Sequence, residues 1–108
     1  MTTFNDREKA FENKFSHDME MNFRAESRRT KNLALWAGKE MGLNEQGTVL
    51  YAKKVLQVSI EQPGLEHVIA KVEEDLKMAG ITPEKPVKDM AEYFLSEAKA
   101  SLMRDLSD

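Results

Sequence analysis

The sequence predicts an all-α protein: a four-helix bundle with a flexible or helix-capable N-terminal arm. Three observations lead there. Apolar residues recur every three to four positions over most of the chain instead of alternating. Five glycines and three prolines among 108 residues are too few for the turns of an all-β fold. Those residues also fall where the periodic stretches end, as Gly42, Pro63-Gly64, Gly80 and Pro86.

The arm comes first. Thr2 and Thr3 are candidate caps, and Asp6 and Glu8 suit a first helical turn. Phe4, Phe11, Phe15, Met19 and Phe23 follow at spacings of seven, four, four and four, which places them on one strip of a helix. Charged residues fill the intervals, and Glu8 and Glu12 are a like-charge pair one turn apart. So narrow a strip buries too little to order the segment unaided. Residues 1–18 are therefore expected to be an arm that is mobile when free, ahead of a bundle over residues 19–108.

Four helices are expected in the bundle, at about 19–41, 45–61, 64–79 and 87–105. In the first, Phe23, Leu33, Leu35, Trp36, Ala37 and Met41 supply the apolar surface, Trp36 as a core residue, and Gly42 ends it. Asn44 is the candidate cap of the second, whose inward face reads as Val49, Ala52, Leu56 and Ile60, widened by Tyr51, Val55 and Val58. The third is the most regular: Leu65, Val68, Ile69, Val72, Leu76 and Ala79 share one face before Gly80. Pro86 disfavours helical geometry at Lys85, so the fourth starts near Val87 and runs along Val87, Met90, Phe94, Ala98 and Leu102. Short connections make successive helices antiparallel neighbours.

Composition narrows the function classes. The absence of cysteine excludes disulfide frameworks, cysteine nucleophiles and zinc ribbons. No apolar run reaches the roughly 20 residues of a membrane span, and the N-terminus has no secretory apolar core. A soluble cytoplasmic protein without direct membrane insertion is expected. Net charge is −3. Residues 1–32 carry seven Lys or Arg and six Asp or Glu, leaving the remainder acidic, which is not the profile of a nucleic-acid binder.

Candidate sites are few. His17 and His67 lack the spacing of a metal site and read as surface histidines. No glycine-rich phosphate loop or nucleophile elbow is present, so an enzyme is not expected. Arg24, Arg28, Arg29 and Lys31 form the one basic cluster, a candidate nucleotide- or anion-binding site, set against the simpler reading of pairing with acidic helices. The phenylalanines of the arm either pack back on the bundle or dock in a partner's groove as an amphipathic helix, and their charge-laced terminal setting favours docking.

The chain resembles the zeta subunit family, the ATPase inhibitor of alpha-proteobacterial F-type ATP synthases. The likeness rests on the N-terminal run from Met1-Thr2-Thr3-Phe4-Asn5-Asp6-Arg7-Glu8-Lys9-Ala10-Phe11-Glu12-Asn13-Lys14-Phe15 to His17-Asp18, then Arg28-Arg29, Leu35-Trp36-Ala37, Tyr51-Ala52-Lys53 and Pro63-Gly64. It departs from the family pattern at Ser27 and across Thr30-Lys31-Asn32. The resemblance implies a four-helix bundle whose N-terminal segment enters a catalytic interface of the synthase head, against the alpha, beta and gamma subunits, and blocks rotation. Partner-binding residues would then be Phe4, Arg7, Lys9, Phe11, Lys14 and Phe15. It further implies a monomer when free, peripheral to the inner-membrane ATP synthase, needing no cofactor, although adenine nucleotide is a ligand suggested for the family. The competing expectation is a small helical nucleotide- or anion-binding regulatory module centred on the basic cluster.

Overall fold

The computed structural model describes residues 2–107 and the side chains of residues 18–105. It is all-α, with four helices in the order α1 (Thr2–Glu40), α2 (Glu45–Glu61), α3 (Leu65–Met78) and α4 (Val87–Ser107). α1 runs on through residue 19 without a break, and neither glycine nor proline interrupts the chain before Gly38.

Each helix packs on the next, and α4 returns to α1. The register is antiparallel throughout. Ala25 of α1 meets Ala98 and Leu102 near the end of α4, whereas Leu33, Ala34 and Ala37 meet Val87 and Ala91 near its start. Between α1 and α2 the helices cross closely at Gly38, where an added Cβ would lie 2.9 Å from the Thr48 Cγ2 and 3.3 Å from its Cα. Only glycine admits that approach.

The main core joins Leu33, Ala34 and Ala37 to Ala52, Val55, Val68, Val72, Leu76, Val87 and Ala91, with Trp36, Ile69, Met90 and Phe94 packed around it. Trp36 is thus half-buried at the core's margin. Two faces depart from the expected ones. On α2 the buried set is Thr48, Tyr51, Ala52 and Val55, while Val49 is 46% and Ile60 77% exposed. On α1, Phe23 faces solvent and the buried positions are Ala25, Thr30, Leu33, Ala34, Ala37 and Gly38. At both places a small residue sits where the helices meet: Gly38 against Thr48, and Ala25 against Ala98 and Leu102.

The helix ends follow the local chemistry. Asn44 caps α2 by accepting the Gly47 amide at 2.7 Å. Gly80, at φ +74°, closes α3: the Ile81 amide returns to the Leu76 carbonyl and the Gly80 amide to that of Lys77. Ile81 then packs against the core. Among the described residues, no helix is long and apolar enough to cross a membrane.

Candidate functional site

Phe4, Arg7, Lys9, Phe11, Lys14, Phe15 and His17 lie outside the residues whose side chains are described. Their strip continues into the described part of α1, as Met19 and Phe23. Both are open to solvent, 58% and 70% exposed. The apolar positions interleaved with them turn inward instead: Met21 packs against the small cluster of Ala25, Ala98 and Leu102. The helix therefore carries two apolar stripes here, one committed to the bundle and one not.

The basic cluster is split by the helical rotation of roughly 100° per residue. Arg24 pairs with Glu20 at 2.6 Å on the exposed surface of its own helix. Arg28 reaches α4, donating to the Ser101 hydroxyl at 3.2 Å and lying 3.7 Å from Asp105. Lys31 is exposed. Arg29 points elsewhere, into a groove between α1 and the junction of α2 with α3. The four cations therefore do not converge on one ligand-sized site.

The groove lies beside the strip and has a volume of about 400 Å³. Phe23, Glu26, Ser27 and Thr30 of α1 form one wall, at i, i+3, i+4 and i+7. Ser59, Pro63 and Gly64 form the other, over a floor of Leu65 and Val68. Arg29 is half-buried, and its Nε is out of solvent with no hydrogen-bond partner. Burial lowers its pKa, against the opposing pull of Glu26. An arginine starts so high that it stays charged. Polar groups nearby are committed locally: Thr30 donates to the Glu26 carbonyl and Ser59 to that of Leu56.

Sequence reasoning placed Phe23 on the strip and Arg29 in the cluster, but did not join them. The connection between α2 and α3 sets Pro63 and Gly64 beside α1, a tertiary fact no periodicity reports. A second polar group also escaped notice. Tyr51 donates its hydroxyl to Asp75 Oδ2 at 2.9 Å, and Lys71 lies 3.1 Å from the same oxygen and 5.9 Å from the Tyr51 ring centre. It ties α2 to α3 and faces no hollow described above. His67 sits 3.8 Å from Glu66, and no group of three metal-ligating side chains occurs among the described residues.

No curated relative matches the chain. A protein solved by solution NMR is similar, with 35% sequence identity and a TM-score of 0.65, over 79% of this chain and 98% of that one. The sequence profile of the family ATPase inhibitor subunit zeta matches residues 1–101, which spans the arm and nearly all of the bundle. This chain belongs to the ATPase inhibitor subunit zeta family.

Proposed function

We propose that this chain inhibits ATP hydrolysis by the F-type ATP synthase by lodging the N-terminal part of α1 at a catalytic interface of the head, where it blocks rotation. Family membership supports the inhibitory role, and the match includes the arm itself. The observation that carries the mechanical reading is the exposure of Met19 and Phe23. The described end of the strip is left outside the bundle, where a partner can cover it.

The mechanism needs no bond-making. Burying each phenylalanine of Phe4, Phe11 and Phe15 in a cleft of the head would contribute roughly 1.5–3 kcal/mol. Arg7, Lys9 and Lys14 would pair with acidic groups at its rim. The bundle stays outside and holds the arm at high local concentration. A regulatory subunit of this kind is not an enzyme, and its place is at the synthase, peripheral to the membrane. Binding of adenine nucleotide at the basic cluster is the weaker reading. Arg24 and Arg28 already have carboxylate partners, and Arg29 faces another way.

The test replaces Phe4, Phe11 and Phe15 together by serine and titrates the full chain against ATP hydrolysis by the synthase. Loss of inhibition is expected even at saturating protein. Inhibition equal to that of the parent chain would end the proposal.

A further inference from the structure

We infer that contact with the synthase does not stop at the arm: the groove between α1 and the α2–α3 junction is a second docking surface, which takes an apolar side chain of the head and a carboxylate beside it. The inference rests on the inhibitory reading above and extends it to the body of the protein.

Three observations select this surface and this occupant. The first is continuity. Phe23 is both the last member of the strip that begins at Phe4 and the outer wall of the groove, so a partner covering the strip reaches the groove without a gap. The second is apolar character. Phe23 is 70% exposed above a floor of Leu65 and buried Val68, next to Pro63. Aromatic side chains, phenylalanine among them, are enriched at protein interfaces. The third is charge. The Arg29 Nε–H is removed from solvent and donates to nothing. Such a donor is costly unless something accepts from it. Among the described residues no carboxylate lies within ion-pair distance of the Arg29 guanidinium, in contrast to Arg24 and Arg28. A carboxylate arriving with the partner would satisfy it, as a charge-assisted bond. Glu26 lines the groove and pulls on the same guanidinium without accepting from its Nε–H, which leaves that donor for the arriving carboxylate.

The experiment titrates full-length variants against ATP hydrolysis by the synthase and reads two quantities, the half-inhibiting concentration and the inhibition at saturation. Phe23→Ser and Arg29→Glu should each raise the half-inhibiting concentration about tenfold, the effect of losing one anchor of about 1.4 kcal/mol. Both should still reach full inhibition, because the arm is intact. Lys54→Glu, on an exposed turn of α2, should change neither. The arm variant behaves differently, losing inhibition at saturation. Failure of the arm reading thus appears as inhibition surviving the three serines, and failure of the groove as an unchanged half-inhibiting concentration for Phe23→Ser. Pro63→Glu, on the opposite wall and off the strip, should raise it likewise and decides the matter even if Arg29→Glu unfolds. A photoreactive phenylalanine at position 23 should capture a subunit of the head, and crosslinking to none of them would overturn the inference. So would a saturable shift of the Arg29 Nε–H signal with inorganic phosphate alone, which would assign the groove to a small anion.

Discussion

Tyr51 shows how one residue can fasten two helices and make stability depend on pH. Its ring is buried in the core, and its hydroxyl reaches Asp75 on α3. Burial first, then the hydrogen bond and the charge of Asp75, raise the phenol's pKa well above its ordinary value of 10.0. The folded state therefore prefers the protonated phenol. In the unfolded chain the proton leaves near pH 10, so the stabilisation is complete below that pH and is lost as pH rises toward the folded value. Tyr51→Phe keeps the ring and removes the hydroxyl, while Asp75 retains Lys71. A loss of about 1–2 kcal/mol is expected at neutral pH. Chemical denaturation of both proteins between pH 8 and roughly pH 11 checks the rest: the difference should shrink as pH rises past about 10. A constant difference would mean that the hydroxyl is not what titrates. Nothing in the sequence announced this bond. Tyr51 was legible as an apolar face residue, but its partner is 24 positions away on another helix.

The elements themselves were far more legible, and where they were not, the reason is physical. The inward face of α3 follows the apolar period because Val68, Val72 and Leu76 on that face are buried, with Leu65 and Ile69 packed against the core beside them. On α2 those two sets separate. Apolar residues occur all round the helix, at Val49, Leu50, Val55, Leu56, Val58 and Ile60, so periodicity admits more than one face. The contact at Gly38 chooses between them by bringing Thr48, a polar residue that a hydrophobic pattern passes over, against α1. The face then runs through Tyr51, Ala52 and Val55 and leaves Ile60 outside. Two substitutions separate the expected face from the observed one. Val55→Ala removes two methyl groups from a fully buried site and should cost about 2 kcal/mol. Ile60→Lys should stay within about 0.5 kcal/mol of the parent, as at an ordinary surface position. Thermal melts of the two proteins measure both, and a large loss at Ile60 would restore the face read from the sequence.

At the scale of the whole molecule, the bundle and the inhibitory strip are distinct uses of one helix. The fold class could be read from the sequence because period and punctuation agree along the chain. The groove could not, because it forms only when α2 and α3 return to α1 and set Pro63 opposite Phe23. The same assembly makes a prediction about independence. Among the described residues the core begins with Met21 and Ala25, and the strip positions interleaved with them, Met19 and Phe23, face solvent. A strip that packed back on the bundle would be expected to bring those two positions inward with it. If instead its task is to meet a partner, the three phenylalanines ahead of them contribute to binding and not to folding. The variant with Phe4, Phe11 and Phe15 replaced by serine should then melt within about 0.5 kcal/mol of the parent, by calorimetry on the free protein. Burial against the bundle would give the opposite result, a loss of several kcal/mol, since each large apolar side chain taken from water is worth roughly 1.5–3 kcal/mol. Unchanged stability together with lost inhibition separates the two uses of α1. A fall in stability would mean that the three serines lose inhibition by weakening the body that holds the arm.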